Sequence, residues 1–380
     1  MKKEIRFGII GLGLMGKEFA SAAARWCHLT ADLPKPVITG ICNKQNEKDR
    51  DWFINNFDSL KIVTDNYKQL LESKDIDAIY CAVPHNLHEE LYIEILKAKK
   101  HLLAEKPFGI DIHANNKICE EIKKHPELIV RCSSEFPYYP GSKRVVDWLK
   151  DKKYGQIIEV KCGFHHASDM DLNKPINWKR MVEFNGEYGC MGDLGLHIQH
   201  IPFRMGWRLN NIFADLQNIA EMRPDGKGNT VPCNTYDNAV LICNATDPDN
   251  GKNFSITFET KRMAPGQTNT WFIEVYGTKG SVKFSTHDPK AFYILETTGK
   301  EQGWTRFDIG PNSYIPTITG GIFEFGFSDA FQQMIGAFMS EFEPSLKHDF
   351  LCASVYETIQ SHVLMSAALE SYKTGVRIPI

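Results

Sequence analysis

The sequence predicts an α/β chain in two parts: a doubly wound parallel sheet, then an α+β part built on a large, open, mainly antiparallel sheet. Three observations carry this. Short apolar runs alternate with amphipathic helical stretches through the first third of the chain. From Ile158 onward, strand segments alternate apolar and polar residues with period two. The length of 380 residues exceeds one compact core and suits two domains, expected at 1–131 and 132–380.

Taken in order, Ile5 to Ile10 reads as a buried strand, Glu18 to Trp26 as a helix, and Val37 to Cys42 and Ala78 to Val83 as further strands. Leu87 to Lys99 carries Leu91, Ile95 and Leu96 among charged residues and reads as a helix, and His101 to Ala104 as the strand after it. A short strand near Leu128 to Cys132 closes the first part. The turn Pro137-Tyr138-Tyr139-Pro140 leads into a helix through Val145, Val146 and Leu149. Beyond it Ile158, Val160 and Cys162 form one alternating set, and Phe254, Ile256 and Phe258 another. Trp271 to Val275 and Ser281 to Phe284 flank Gly277-Thr278-Lys279-Gly280, a turn between two strands. Phe331, Met334, Ile335 and Phe338 return to helical spacing.

Composition excludes several classes. The 42% hydrophobic and 24% charged fractions are those of a globular chain, and the net charge of −3 gives no broad attraction to nucleic acid or anionic lipid. The uncharged run from Ile309 to Phe323 holds Gly310, Pro311, Pro316 and Gly320 and falls short of the ~18 apolar residues of a spanning helix. Glu4 and Arg6 interrupt the apolar stretch a secretory signal needs, so a cytoplasmic protein is expected. Ten cysteines occur without a Cys-x-x-Cys pair, and most lie in apolar stretches that read as places for reduced, buried thiols. His165-His166 and the trio Asp193, His197 and His200 lack the character of a metal set, and no metal is expected.

Gly11-Leu12-Gly13-Leu14-Met15-Gly16 follows an apolar strand and opens a helix, the context that makes this pattern a dinucleotide fingerprint. Gly11 permits the tight turn, Gly13 leaves room for a pyrophosphate, and Gly16 lets helix and strand pack closely. The helix N-terminus supplies amide donors. The second strand ends Asn43-Lys44, where NAD-specific proteins carry an acid. A neutral Asn43 does not repel a 2′-phosphate and Lys44 can neutralise one, so the expectation is NAD(P)(H) with a lean to NADP or dual use.

Three more segments, with the fingerprint, resemble the Gfo/Idh/MocA oxidoreductases, named after glucose–fructose oxidoreductase and inositol dehydrogenase. Val83-Pro84-His85-Asn86-Leu87-His88 is similar to that family's Thr-Pro-Asn-x-x-His loop. Ala104-Glu105-Lys106-Pro107 is similar to its Glu-Lys-Pro motif, and Gly189 to His197 to its Gly-x-Leu-x-Asp-x-Gly-x-His segment. The resemblance implies a Rossmann domain with Pro84, His85, His88, Glu105 and Lys106 at the cofactor, a cis Lys106-Pro107 peptide, and pairing of subunits through the second sheet as a dimer or tetramer.

Chemistry agrees with that resemblance. Asp193 and His197 stand four apart, so on a helix they share a face, and His197 has the titration range of a general base. We assign His197 as proton acceptor from a substrate hydroxyl, Lys106 as partner of the developing alkoxide, and Asp193 as orienter. Trp178, Lys179 and Arg180 suit a polyhydroxylated substrate, with Tyr138 and His165 as further candidates; a solvated loop is the plain alternative for 173–180. The chain also departs from the family at Tyr188, at His200, at Glu135-Phe136-Pro137-Tyr138 where an arginine is common, and at Lys99 where glycine is preferred.

The expected activity is NAD(P)-dependent oxidation of a secondary hydroxyl of a sugar or cyclic polyol by reversible hydride transfer. A redox-neutral, NAD-dependent glycoside-cleaving enzyme and a non-catalytic dinucleotide sensor are the alternatives.

Overall fold

In the computed structural model, which describes residues 3–44, 47–297, 299–310, 312–346 and 348–380, the chain divides into two units. One comprises Met1–Tyr138 and Asn312–Thr358, the other Tyr139–Pro311 and Ile359–Ile380.

The first unit holds the strands β1 (Glu4–Ile10), β2 (Lys35–Cys42), β3 (Ile62–Thr64), β4 (Ala78–Cys81), β5 (His101–Ala104) and β6 (Val130–Cys132). They form one sheet in the order β3-β2-β1-β4-β5-β6 with parallel pairs throughout. Helices α1 (Leu14–Ala24), α2 (Glu47–Asn56), α3 (Tyr67–Glu72), α4 (His88–Lys97) and α5 (Ile112–Ile122) connect them. The order reverses between β1 and β4, and crevices at such a reversal, outside the carboxyl ends of the strands, are where doubly wound sheets place ligands. All three N-terminal motifs lie there, after β1, β4 and β5.

A single cut after residue 131 does not describe this division. Helix α9 (Phe327–Ser340) packs along α1, with Gln332 donating to Ala22 O at 3.1 Å and Arg25 O at 2.8 Å and Arg25 ion-paired to Asp329 at 3.1 Å. Backbone bonds between Cys132 and Ala353 extend the edge of β6. The return of the chain covers apolar faces of α1 that its neighbours in sequence leave open. At the end of α4, Lys99 takes φ +57°, a left-handed position that costs a non-glycine residue about 1 kcal/mol.

The second unit carries helices α6 (Pro140–Lys150), α7 (Val182–Asn185) and α8 (Cys190–Arg204) and a nine-stranded sheet. Its strands are β7 (Ile157–His166), β8 (Arg208–Gln217), β11 (Asn238–Thr246), β12 (Asn253–Lys261), β13 (Asn269–Gly277), β14 (Gly280–Ser285), β15 (Ala291–Glu296), β16 (Thr305–Asp308) and β17 (Ile378–Pro379), with β9 (Met222–Pro224) and β10 (Thr230–Pro232) as a separate hairpin. The order is β16-β15-β14-β13-β7-β12-β11-β8-β17, and only β7 and β12 run parallel. Helix α10 (Val355–Thr374) closes the chain before β17.

The period-two reading explains the two faces of this sheet. In β12 Phe254, Ile256, Phe258 and Thr260 are buried, while Ser255, Thr257, Glu259 and Lys261 are half-exposed. Helix α8 packs on β12, β7 and β13, and every residue from Cys190 to Phe203 is buried. Among the described residues no helix is long and apolar enough to cross a membrane.

Candidate active site

In the first unit the fingerprint forms a cradle. Gly11 has φ +94°, and a Cβ there would collide with Ala82 O; a Cβ on Gly16 would collide with Gly11 O. Gly13 is different, because a Cβ there meets nothing within 4 Å. Helix α1 begins at Leu14 with Gly13 as N-cap, no capping side chain and no acid in its first turn, and Leu14 is 75% exposed. Open space at Gly13 beside an uncapped helix N-terminus fits the pyrophosphate of a dinucleotide, with the turn through Met15 supplying amides.

At the end of β2, Asn43 N bonds Thr64 O at 3.2 Å, and Arg50 from α2 donates to Asn43 O at 3.0 Å. Lys44 is exposed beside them. Arg50 thus adds a second cation beside Asn43 and Lys44.

The motifs after β4 and β5 lock to each other. The Lys106-Pro107 peptide is cis. His88 is fully buried, with Nδ1 2.7 Å from Pro107 O and Nε2 3.0 Å from Val83 O, and burial lowers its pKa to about 4. The ring is therefore neutral at pH 7 and braces the loop holding Pro84 and His85 against the Lys106 turn. Glu105 is interior as well: its Oε1 accepts from Tyr80 OH and Ser133 Oγ, each at 2.6 Å. The side chains of His88 and Glu105 are both engaged inside the fold, where they shape the backbone on either side of Lys106.

Glu135 is the other buried acid of this region. Burial first, then the neighbouring Glu105, raises it to about 8, with Lys106 acting in the opposite sense. The native state thus keeps a proton that the unfolded chain releases near the ordinary value of 4.5. Stability should therefore fall as pH rises through that window, by about 1.4 kcal/mol per pH unit from this group. Thermal melts of Glu135→Gln should show a flatter pH dependence than the parent protein between about pH 5 and 8. Equal slopes would remove Glu135 as the group responsible.

Tyr138 is fully buried, its hydroxyl donating to Phe350 O at 3.3 Å and its ring set edge-on against Tyr314 and Phe350. It is packed into the interior of the first unit, so its ring is not displayed on a surface as the sequence-based substrate candidacy would have it.

The second unit holds the acid–base candidates. Gly189 caps α8 with φ +56°, and a Cβ there would lie 2.7 Å from Tyr236 N, so only glycine lets α8 start at this place. One turn in, Asp193 is 4% exposed and its carboxylate takes Lys179 Nζ at 3.0 and 2.9 Å and Arg262 Nη2 at 2.9 Å. Arg262 Nη1 and Thr235 Oγ1 both donate to Lys179 O at 3.0 Å. Asn177 Oδ1 accepts from Lys179 N at 3.0 Å, and the ammonium lies 5.7 Å from the Trp178 ring centroid. Lys179 is thereby fixed at backbone and ammonium while its side chain stays 39% exposed.

His197, one turn beyond Asp193, is 4% exposed. Its carbonyl accepts from Trp271 Nε1 at 2.8 Å, and its ring meets Phe164 edge-on with centroids 5.5 Å apart. Phe164 lies 4.5 Å from His166 by the same measure, so His166 is the member of the histidine pair on the α8 face. His165 faces away from α8: its Nε2 is 3.2 Å from Glu259 and its ring is edge-on to Phe272. The contact with His165 leads in holding Glu259 down to about 2. His165 is thus corrected from substrate candidate to partner of Glu259, because successive residues of a strand point to opposite faces.

Arg180 also requires correction. It is fully buried with its guanidinium paired to Asp169 and Asp237, which makes it the anchor of the 177–181 segment and leaves no exposed surface for a substrate. Arg262 was missed, and sequence holds no local signal for it, since 69 residues separate it from Asp193. His200 is buried and its Nε2 accepts from Arg204 at 3.0 Å. Among the described residues no three His, Cys, Asp or Glu side chains gather as a metal site.

The chain is similar to known oxidoreductases. Residues 5–131 match the Gfo/Idh/MocA family, described as an oxidoreductase family with an NAD-binding Rossmann fold. The uncharacterized oxidoreductase YrbE of Bacillus subtilis is 30% identical over 299 residues, 76% of each protein. Levoglucosan dehydrogenase of Pseudarthrobacter phenanthrenivorans is 21% identical over 291 residues, 74% of each. A solved structure of levoglucosan dehydrogenase, in complex with NADH and L-sorbose, superimposes with a TM-score of 0.86 at 20% identity, covering 100% of this chain and 99% of that one.

Proposed function

Since the chain belongs to the Gfo/Idh/MocA oxidoreductase family, with its NAD-binding Rossmann fold, we propose that it oxidises a secondary hydroxyl of a sugar or cyclic polyol, reversibly. The observation that carries the reading is a buried imidazole, His197, one helical turn from an ion-paired carboxylate, Asp193, in a chain that also holds a dinucleotide cradle. A bound nicotinamide dinucleotide supplies the hydride acceptor. His197 takes the hydroxyl proton as the carbinol is oxidised, Asp193 fixes the helical face on which it acts, and Lys106 lowers the energy of the oxygen as negative charge develops there. Trp178 and Lys179 offer an apolar face and a cation to a hydroxylated ring. The names of the relatives support this class: levoglucosan dehydrogenase and glucose-6-phosphate 3-dehydrogenase both act on sugars.

A panel of sugars, anhydrosugars, sugar phosphates and cyclic polyols, offered with NAD and with NADP, tests the reading through the absorbance of reduced nicotinamide. At least one ring compound should drive reduction. Cleavage of a glycoside without net reduction would favour the redox-neutral alternative.

Asn43, Lys44 and Arg50 support use of NADP or of both cofactors. Asn43→Asp places a charge against the 2′-phosphate and should lower the NADP/NAD ratio of kcat/KM at least tenfold, a shift of about 1.4 kcal/mol or more. An unchanged ratio would remove Asn43 from cofactor selection. The exposed Ile158, Phe213 and Ile242 on the second sheet support self-association into a dimer or tetramer.

A further inference from the structure

We propose that Lys179 and Arg262 are positioning residues that keep His197 an uncharged base, by cancelling the negative charge that Asp193 presents to it. The inference deepens the reading above and rests on His197 being the proton acceptor. A carboxylate alone, one turn away on the same helix face, would stabilise the imidazolium and leave less free base near neutral pH. Here that carboxylate is not alone. Lys179 Nζ and Arg262 Nη2 lie within 3.0 Å of its oxygens, and Asp193 and Arg262 are both nearly inaccessible, at 4% and 2%. Two cations and one anion make a cluster of net charge +1. Each charge acts on the imidazole in its own sense, so the two cations work against the anion.

Helix α8 packs on β7, which presents Phe164 and His166, on β12, which presents Thr260 and runs into Arg262, and on β13, which presents Trp271 to the His197 carbonyl. On α8 itself His200 is one turn on, its Nε2 accepting from Arg204. The Arg180 group is internally compensated by Asp169 and Asp237. Lys179 is held in register by Asn177, Thr235 and Arg262, so its ammonium is placed by the fold.

The signs of three substitutions test this. Arg262→Gln and Lys179→Met each remove a cation, and each should raise the midpoint of the His197 titration by roughly one pH unit. Asp193→Asn removes the anion and should lower it. Arg262→Lys retains the charge and should restore the parent midpoint. The readout is the NMR titration of carbon-labelled histidine, with the His197 signal assigned by its loss in His197→Gln; it requires no substrate. Lys179 is part-exposed, so Lys179→Met serves should Arg262→Gln fail to fold. The acid limb of the kcat/KM profile should move to higher pH with Arg262→Gln and with Lys179→Met. Midpoints that stay put, or move the same way in Lys179→Met and Asp193→Asn, overturn the proposal. Midpoints that move as stated while the rate profile does not would leave the charge arrangement standing and overturn the role of His197 as the base.

Discussion

His197→Ala should lower kcat by ~10²-fold or more while leaving dinucleotide affinity within a small factor of the parent value. The two parts of this expectation have separate structural origins. The proton must leave the substrate hydroxyl as the hydride leaves its carbon, and the proposed acceptor is His197, a buried imidazole one helical turn from Asp193. The cradle at Gly11, Gly13 and Gly16 belongs to the first unit and rests on backbone amides of α1, which the substitution leaves intact. Dinucleotide titrations and steady-state kinetics on the same preparation separate the effects. Full activity, with an unchanged pH–rate profile, would contradict the assignment.

Lys106→Ala is expected to lower kcat and kcat/KM together. A cation that stabilises charge present only as the carbon–hydrogen bond breaks contributes to the transition state and little to the ground state. The position of Lys106 is strongly determined: the His88 contact with Pro107 O and the buried Glu105 fix the turn from which it projects. A rise in KM alone would assign Lys106 to ground-state binding. Lys106→Arg keeps the charge but changes its shape and hydration, so only partial recovery is expected.

What could be read directly from the sequence was encoded locally. The fingerprint was legible because each glycine answers a backbone requirement within a few residues, and Gly11 and Gly16 meet those requirements against Ala82 O and Gly11 O. The parallel sheet was legible because its buried strands are continuous apolar runs, although β3, with only Ile62-Val63-Thr64, is too short to show a period. The site was legible as far as Asp193 and His197, whose spacing is that of one helical turn. The partners of Asp193 were not, because Arg262 arrives from the far end of β12 and long-range pairing leaves no trace in spacing. Arg180 illustrates the opposite error: a cation in a polar stretch resembles a binding residue until Asp169 and Asp237 are seen to enclose it. Between His165 and His166 only the strand register decides, and it selects His166 for the α8 face. The joining of Asn312–Thr358 to the first unit follows from the apolar surface of α1 that α9 covers, a packing relation more than 300 residues long in sequence.

The central claim is that a hydride passes from a ring carbinol to a nicotinamide while His197 takes the hydroxyl proton. It is tested most directly with an active substrate from the panel carrying deuterium on the reacting carbon, followed by mass spectrometry of cofactor and product. The account predicts one deuterium on each reduced nicotinamide formed, matched by one equivalent of oxidised product, with both yields falling together in His197→Ala. Deuterium released to solvent, or returned to the product with no reduced nicotinamide accumulating, would contradict it.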